Sequence, residues 1–448
     1  MAANEMNVES KEDYIAQFDA FSSNGAASDP EWLKSLREDA MAVFREKGFP
    51  SSKKEEWRFT NVKGLTERKF SRTSKPGDIG GHQVDAYSVN AGNGRLVFVD
   101  GIFAPEYSVS EMTDGVQIIN FRTALEEIPE VVKKHLGSRA DSKENPFVAL
   151  NTAFLSDGAV VHLEKNANLD RPIEVVFLSS GKEGTISHPR ILVVAEENSS
   201  GGVVEIYAGP DGSSYFTNAV TEVVVADNAR VDFCRIQREG DQAFQVATTE
   251  SIQGRDSWYG MTPVVLGGRI GRHDIRMTLD GEGGEGLLNG LYMMEGEQHI
   301  DHQTVVEHAK PHCESHEYFN GILDDKSRAV FNGRIIVRPG AQKTDSKQTN
   351  NNMLLSEDAR ADSQPQLEIY ADDVKCTHGA TLGPIDQDAL FYLQSRGVPK
   401  DSALQMLTYG FGVEILNRVQ NVVIKEHLDR LVKGWLVERN VSKVPVEA

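Results

Sequence analysis

A cysteine and a histidine lie two positions apart near the end of the chain, in the segment VKCTHGATLG at residues 374–383. In an extended strand, Cys376 and His378 would leave the backbone on the same face, because successive side chains alternate between the two faces of a strand. A thiolate suits iron or sulfane sulfur and a neutral imidazole suits iron, so this pair is a candidate for metal or sulfur chemistry. The alternative is a structural pair at a strand end, held by hydrogen bonds beside a turn at Gly379.

A second group of metal-binding residue types lies in the segment HIDHQTVVEHAKPHCESHEYFNG. Its members are His299, His302, His308, His312, Cys313 and His316. Strand geometry would place His299 and His302 on opposite faces. Pro311 disfavours the helix that would bring His308 and His312 together. We therefore expect polar side chains on strand surfaces here rather than one local metal site, while a site shared between adjacent coils stays open. A metalloenzyme that uses the cluster is the alternative function.

The composition argues against several classes of protein. A net charge of −20 and a pI of about 5.1 argue against a nucleic-acid or anionic-membrane surface, which needs clustered Lys and Arg. Three cysteines in 448 residues are too few for a disulfide framework and indicate a reducing compartment. The N-terminal segment is acidic and no stretch of about 18 apolar residues occurs, so we expect a cytoplasmic protein without a membrane span.

Common catalytic motifs are missing from the sequence. The glycine-rich segment GEGGEG at residues 281–286 lacks the Lys-Ser or Lys-Thr ending of a phosphate loop, and its two carboxylates would repel phosphate. The sequence contains neither a G-x-S-x-G elbow nor an H-E-x-x-H motif. The sequence therefore contains no catalytic motif of these types that would support an enzyme.

Residues from about 159 to 385 follow a strand pattern. Short β-branched runs such as RILVVAEEN and GGVVEIYAG end in turn residues, and no helix-length amphipathic segment interrupts them. More than 200 residues of strand without crossover helices exclude a doubly wound α/β sheet and leave a large β-sandwich or barrel, or a β-solenoid. Turn phrases such as ADNARVDFCRI, DDKSRAVFNGRI and SEDARADSQPQLEI recur, as stacked coils with similar corners require. The pattern favours a mainly β fold with a parallel β-helix core.

Helical segments flank this core on both sides. The spacing of apolar residues predicts helices over residues 29–47 and 121–136 and again from Asp386 onwards. We therefore expect a mixed, largely helical region at 1–145, the β-helix at 146–383 and a helical region at 384–448. The C-terminal helices could cap the last coil, whose open end is an exposed sheet edge, or they could dock another protein.

Two long segments resemble the SufB/SufD family of iron–sulfur cluster assembly scaffolds. They run from HIDHQTVVEHAKPHCESHEYFNG to NNNMLLS at residues 299–356, and from PQLEIYADDVKCTHGATLG to LQSRGV at residues 365–398. The segment SSKKEEWRFTNVKGL is similar to the N-terminal region of the family. No cysteine occurs between Gln342 and Tyr370, where SufB-like members carry one, so the chain is most similar to the SufD branch. The resemblance implies a right-handed parallel β-helix core flanked by N-terminal and C-terminal helical regions.

The resemblance also implies a function and partners. SufD-like proteins pair with a SufB-like paralogue through their β-helices and bind a SufC-type ATPase through the C-terminal helices, and nascent clusters form near the junction. The histidine of the family's C-x-H-G-A-T stretch is the candidate iron or cluster contact; it matches His378, and Cys376 lies in the same motif. We therefore expect a non-catalytic scaffold subunit with a role in iron delivery, which handles iron or a nascent cluster transiently and jointly with its partner. Whether the isolated chain forms homodimers is left open.

Overall fold

Two parallel sheets face each other and wind around a common axis to form a β-helix. The computed structural model describes residues 2–24, 26, 28–90, 92, 94–110 and 114–439. Within these residues a parallel β-solenoid of about eight turns forms the centre, and helices from both ends of the chain pack on its outer faces. The prediction of a mainly β fold, with a parallel β-helix core between helical regions, is confirmed.

The secondary-structure elements follow the order that the sequence pattern predicts, helices first, strands next and helices last. The strands of the described residues are β1 (Gly94–Val99), β2 (Ile102–Phe103), β3 (Val109–Ser110), β4 (Val116–Asn120), β5 (Ala159–Leu163), β6 (Ile173–Leu178), β7 (Ile186–Ser187), β8 (Arg190–Ala195), β9 (Ser200–Ala208), β10 (Phe216–Val225), β11 (Arg230–Arg238), β12 (Phe244–Gln253), β13 (Trp258–Val265), β14 (Ile270–Leu279), β15 (Glu285–Met294), β16 (His299–His308), β17 (Glu314–Leu323), β18 (Arg328–Val337), β19 (Asp345–Leu354), β20 (Arg360–Ile369) and β21 (Lys375–Pro384). The helices are α1 (Ala2–Asn24), α2 (Glu31–Lys47), α3 (Lys63–Thr66), α4 (Gly81–Tyr87), α5 (Phe121–Glu127), α6 (Pro129–His135), α7 (Pro146–Ala153), α8 (Gln387–Ser395), α9 (Lys400–Leu416) and α10 (Val422–Arg439), with short 3₁₀ helices at Glu55–Trp57 and Pro105–Tyr107.

The strands alternate between the two sheets along the chain. The first sheet has the order β2-β1-β6-β9-β11-β13-β15-β17-β19-β21, with β3 beside β1. The second has the order β20-β18-β16-β14-β12-β10-β8-β5-β4, with β7 beside β10. Antiparallel pairing in the described residues is confined to β1–β2, β1–β3 and β4–β5, so every later coil adds one parallel strand to each sheet. Equivalent residues of successive coils therefore stack in columns, which face either outward or into the interior, called the lumen below.

Apolar side chains fill most of the lumen. Phe98, Phe177 and Tyr207 stack on one another, with ring centroids 4.8 and 5.1 Å apart. Phe233 and Phe319 are fully buried further along the same core. Because burial of apolar surface stabilises a fold by about 25 cal/mol per Å², this continuous core is the main reason that the coils stack. Towards the last coils, polar side chains take over the lumen-facing positions.

One corner of the β-helix repeats the same left-handed turn. Asn166, Asn198 and Asn228 have φ angles of 66, 62 and 57°, a conformation that asparagine adopts more readily than most residues. Nδ2 of Asn228 donates to Oδ1 of Asn198 at 2.8 Å, and Asn198 donates in the same way to Asn166 at 3.0 Å. Later coils place Asp256 and His312 at this corner, also with positive φ. Of the recurring turn phrases, the first lies at this corner and the two later ones lie at the opposite edge, where the chain passes from the first sheet to the second.

The N-terminal region covers the outer face of the second sheet. Trp57 packs on Phe147 with ring centroids 5.3 Å apart, and the guanidinium of Arg272 on β14 lies 3.8 Å from the centre of the Trp57 ring. Glu222 on β10 is fully buried and accepts the backbone N–H of Gly137 at 2.9 Å. Since β1 also extends the first sheet, the N-terminal region is joined to both sheets of the β-helix.

The C-terminal helices cover the outer face of the first sheet. Leu404 and Leu416 on α9 and Leu428 on α10 are fully buried in one cluster with the outward-facing Ile236 and Ile322 of β11 and β17. The helices therefore lie along the side of the β-helix. Within the described residues they leave the last coil uncovered, so the capping role that the sequence left open for them is not what this part of the structure shows.

Several helix ends differ from the sequence prediction, and proline or asparagine explains each difference. The helix predicted over residues 121–136 is two helices, because Pro129 starts α6 and disfavours helical geometry at the residue before it. The predicted C-terminal helix is broken between α9 and α10, where Oδ1 of Asn421 accepts the N–H of Val423 at 3.0 Å and begins a new helix. Asp386 caps α8 as predicted, since its Oδ1 accepts the N–H of Asp388 at 2.9 Å.

The predicted region limits coincide with element boundaries. Residue 146 begins α7, and residue 383 lies one position before the end of β21. As limits of separate domains they stay predictions, and residues 440–448 of the predicted C-terminal region lie outside the described part of the chain. None of the described helices is long and apolar enough to cross a membrane.

Candidate functional site

The last strand of the first sheet carries the cysteine–histidine pair. β21 pairs with β19 in a register that sets Cys376 beside Ser346 and His378 beside Gln348. Ser346 and Gln348 are both buried and face the lumen, while the residue between them is exposed. Cys376 and His378 therefore continue two lumen-facing columns, on one face of a strand, as their spacing predicts.

The lumen is open at this end of the β-helix. In the described residues, no strand pairs with the outer edge of β20 or of β21. His378 is exposed and Cys376 is half-buried, although their neighbours in the two preceding coils of each column are buried. Apolar side chains are exposed beside them, with Leu382 at 56% and Tyr370 at 58% exposure. The pair thus stands at the mouth of the lumen, where another molecule can reach it.

The environment of Cys376 keeps its thiol protonated. The side chain packs beside a small apolar cluster that includes Ile335 and Val337. Burial, and to a smaller extent the negative charge of Asp345, raise the pKa of the Cys376 thiol. Since the thiolate is the reactive form, the free chain holds this cysteine in a weakly nucleophilic state, and a cation at the mouth would favour its ionisation.

Polar side chains lie directly behind the pair. Nε2 of Gln348 donates to Oε2 of Glu317 at 2.5 Å, and Glu317 is the neighbour of Gln348 in the previous coil. Burial raises the pKa of Glu317 to about 7, so this carboxyl changes its protonation state near neutral pH. In the adjacent column, the hydroxyls of Ser346 and Ser315 are 2.7 Å apart, and Ser315 is 2.8 Å from Nε2 of His308.

The motifs of the sequence do not single out Glu317, Gln348 or the two serines. One signal could have indicated them: β19 reads DSKQTNNNML, which is polar at every position of both faces except its last two, whereas a buried sheet normally alternates or is apolar throughout. A strand of this kind inside a β-helix predicts a polar lumen.

The structure disperses the histidine-rich segment instead of gathering it. His299 faces outward and its Nε2 is 2.8 Å from Oγ1 of Thr60 in the N-terminal region. His302 points into the lumen between the rings of Tyr292 and Phe319, with ring centroids 5.3 and 5.2 Å away. Burial lowers the pKa of His302 to about 4, so its ring is neutral.

The other members of that segment have separate structural roles. His308 is buried in the lumen and His312 is exposed at the left-handed corner, with φ of 61°. The thiol of Cys313 donates to the carbonyl of Gly281 at 3.2 Å, and His316 is half-buried on β17. Among the described residues, no three His, Cys, Asp or Glu side chains converge in an arrangement that could hold a metal ion. The geometry therefore gives the alternative metalloenzyme no support.

Two glycines near the pair have no role inside the chain. A Cβ atom added to Gly379 or Gly383 would meet no other atom of the described residues within 4 Å, and neither residue has the positive φ that requires glycine. By contrast, an added Cβ at Gly290, on a sealed coil, would lie 2.1 Å from the ring of Phe319. The fold of the single chain thus does not explain why Gly379 and Gly383 are glycines, whereas a close approach by a second molecule would.

These features define a class of protein: a parallel β-helix whose last coil is open and presents a thiol and an imidazole at a partner-accessible edge. Comparison with known proteins gives the family. Residues 177–411 match the model of the SufBD core domain of the SUF system for FeS cluster assembly, and residues 8–175 match that of the SufBD N-terminal region. The chain belongs to the SufBD family of iron–sulfur cluster assembly proteins.

Individual relatives agree with this assignment over most of their length. The chain is 32% identical to an iron–sulfur cluster assembly SufBD family protein of Synechocystis, over 89% of this chain and 90% of the relative. It is 31% identical to the iron–sulfur cluster assembly protein SufD of Escherichia coli, over 85% and 88% of the two chains. It is 28% identical to SufD of Bacillus subtilis, over 90% and 94%. The predicted family and its SufD-like character are confirmed.

Proposed function

We propose that this chain is the SufD-like scaffold subunit of a SufBCD-type complex. It pairs with a SufB-like paralogue through the open end of its β-helix, and iron or a nascent cluster is handled at the junction by His378, with Cys376 beside it. The observation that carries this proposal is the uncovered last coil, which presents both residues at its edge. The names of the Escherichia coli and Bacillus subtilis relatives support the assignment to SufD.

The open coil suits a partner of the same architecture. β20 and β21 are each ten residues long and expose the backbone N–H and C=O groups of one edge. Exposed edges of this length pair readily with another strand, and proteins normally cover or blunt them. A second β-helix would continue both sheets at once, and it would bring its own side chains opposite His378. A second copy of this chain offers the same two edges and is a competing partner for them when the paralogue is absent.

The number of donor atoms supports a shared and transient site. His378 and Cys376 supply two ligands, whereas an iron atom in a cluster needs four in total, including the bridging sulfides. A cluster held by this chain alone would be incompletely coordinated and would leave easily. The site can therefore accept iron or a nascent cluster as cargo and release it, with the partner supplying the remaining ligands, and the chain keeps no resident cofactor.

The C-terminal helices provide the surface on which a SufC-type ATPase would dock. Each of them carries an apolar side chain that the fold leaves exposed: Phe391 on α8 at 73%, Met406 on α9 at 53% and Val437 on α10 at 75%. Tyr392 on α8 and Val422 on α10 are exposed as well, and several exposed apolar side chains on one layer are typical of protein interfaces. In this proposal the chain is not an enzyme and the ATPase activity belongs to the partner. The three free cysteines fit a reducing compartment such as the cytoplasm.

Co-expression tests the proposal. The chain is purified alone, with a SufB-like and with a SufC-type protein, and with both, and the iron, acid-labile sulfide and ATPase activity of each sample are measured. We expect bound iron and sulfide only when the SufB-like partner is present. His378→Ala should abolish cluster formation without loss of the complex, because its side chain is exposed at the end of the last coil.

A matched control separates the site from a general effect of losing a histidine. His82 is exposed on α4, far along the chain from the open coil, and His82→Ala should leave cluster formation unchanged. Full cluster formation in His378→Ala would refute the role of His378. A complex that assembles and carries iron when Leu382 at the open end is replaced by Glu would refute the role of the open coil.

A further inference from the structure

Three side chains form a ladder that ends at the open coil. Glu317 on β17, Gln348 on β19 and His378 on β21 are register neighbours in one lumen-facing column. Glu317 and Gln348 are 3% and 1% exposed, and only His378 at the end of the column is open to solvent. Neighbouring strands are about 4.8 Å apart, so each side chain is within reach of the next.

The contact between the first two members orients the amide of the second. Nε2 of Gln348 donates to Oε2 of Glu317 at 2.5 Å, so the NH₂ group of the amide faces Glu317. The carbonyl oxygen of a side-chain amide diverges from its NH₂ group. Oε1 of Gln348 is therefore directed away from Glu317 and towards the following coil, where His378 lies.

This carbonyl oxygen has no partner of its own. Oε1 of Gln348 is buried and accepts no hydrogen bond from the described residues. A buried acceptor without a donor is destabilising, so its position favours any N–H group that comes within reach. The ring of His378 is the nearest side chain of the next coil in this column, and one of its two nitrogens carries a proton in the neutral state.

A glycine on the opposite sheet makes room for the amide. A Cβ atom added to Gly333 on β18 would lie 2.3 Å from Nε2 and 2.7 Å from Cδ of Gln348. The side chain of Gln348 thus crosses the lumen and rests against bare backbone. The amide is confined by Gly333 as well as by Glu317, so its orientation is part of the fold.

We propose that Gln348, held by Glu317, is a positioning residue for His378. Its Oε1 accepts the N–H of one imidazole nitrogen and so leaves the lone pair of the other nitrogen facing the open end, where iron or a nascent cluster arrives. The inference rests on the proposed function of His378 and deepens it. It follows the general rule that a metal-ligating histidine donates its second N–H to a fixed acceptor, which sets the tautomer and the ring orientation.

The tautomer of His378 tests this directly in the full chain without iron or partner. Ring-¹⁵N histidine labelling and two-bond ¹H–¹⁵N spectra, assigned with His378→Ala, report the tautomer ratio once the ring is neutral. In Gln348→Met, which keeps the length of the side chain but removes the acceptor, we expect the ratio to change about fivefold, as for loss of one ordinary hydrogen bond. The signals of the other histidines report whether the fold is intact.

A pair of substitutions at Glu317 provides the control. Glu317→Gln still offers an oxygen to the NH₂ group of Gln348 and should keep the wild-type ratio. Glu317→Met removes that oxygen, frees the amide to turn over, and should shift the ratio in the same direction as Gln348→Met. An unchanged ratio in Gln348→Met, or equal effects of Glu317→Gln and Glu317→Met, would overturn the inference.

Cluster assembly with the partners then separates this inference from the function on which it rests. If Gln348 sets the tautomer of His378, the Gln348→Met complex should form clusters about 10- to 100-fold more slowly than the wild-type complex. Loss of the hydrogen-bond partner of a metal-bound histidine has an effect of this size in other proteins. If His378→Ala is without effect on assembly while Gln348→Met still shifts the tautomer, the proposed function fails and the positioning role stands. If His378→Ala abolishes assembly while Gln348→Met alters neither tautomer nor rate, the positioning role fails and the function stands.

Discussion

Replacement of Glu317 by Gln should stabilise the folded chain relative to the wild type, and this gain in stability should be larger at high pH than at low pH. Burial raises the pKa of Glu317 from 4.5 to about 7. The folded state therefore binds the proton more tightly than the unfolded state does. The stability that this carboxyl contributes is full below pH 4.5 and is lost as the pH rises through about 7, because the carboxylate must then be ionised in a buried environment.

The magnitude follows from the two pKa values of that group, 4.5 unfolded and about 7 folded. With about 1.36 kcal/mol per pKa unit, the raised pKa of Glu317 costs the wild type about 1 kcal/mol at pH 5 and about 3 kcal/mol at pH 8. A glutamine has the same shape and no charge, so it does not incur this cost. The advantage of Glu317→Gln over the wild type should therefore grow by about 2 kcal/mol between pH 5 and pH 8.

Urea unfolding of the isolated chain at both pH values measures this difference, with the midpoint compared between variants at each pH. Other buried carboxyls also titrate, but they are common to both proteins and cancel in the comparison. Glu314→Gln is the matched control, because Glu314 lies on the same strand and is exposed. The reasoning is refuted if Glu317→Gln differs from the wild type by the same amount at pH 5 and pH 8, or if Glu314→Gln shows the same pH-dependent gain.

Three further predictions concern the open coil and the N-terminal region. Gly379→Ala should leave the free chain equally stable or stabilise it by about 0.4–1 kcal/mol, since the described residues leave space around the added Cβ. The same substitution should weaken co-purification with the SufB-like partner, and unchanged binding would contradict a close approach of the partner to Gly379. Trp57→Ala should lower the free energy of unfolding by about 3–5 kcal/mol, because the indole packs between Phe147 and Arg272, and a loss below about 1 kcal/mol in urea unfolding would be inconsistent with that packing. Iodoacetamide should alkylate Cys376 more slowly at pH 7 than a cysteine peptide, and the rate should keep rising above pH 9, because burial and Asp345 raise the thiol pKa; a rate that is already maximal at pH 7 would disprove it.

Local patterns predicted much of the architecture. Runs of β-branched residues with turn residues between them predicted the strands, and the absence of crossover helices excluded a doubly wound sheet. The cap at Asp386 followed from its position before an apolar helical pattern, and the shared face of Cys376 and His378 followed from the two-residue period of a strand. The prediction of one helix over residues 121–136 was wrong, because Pro129 disfavours helical geometry at the residue before it and so divides the helix that the apolar spacing indicates.

The neighbours of His378 were beyond the reach of such patterns. Gln348 and Glu317 lie one and two coils away from it, and the segments between them contain corners of different lengths. The histidine-rich segment shows the same limit in the other direction. Its members are close in sequence, but the alternation of the strand and the corner at His312 send them to the lumen, the corner and the outer faces.

The sequence by itself determined where strands and helices form and which side chains of one strand share a face. It also determined to which family the chain is similar. The tertiary structure decided which face is the lumen, that the C-terminal helices lie along the side, and that the coil with Cys376 and His378 is left open. The physical reason is that residue periodicity is a local property of the backbone, whereas the register between coils is set by how long each corner is and by which side chains pack inside the whole stack.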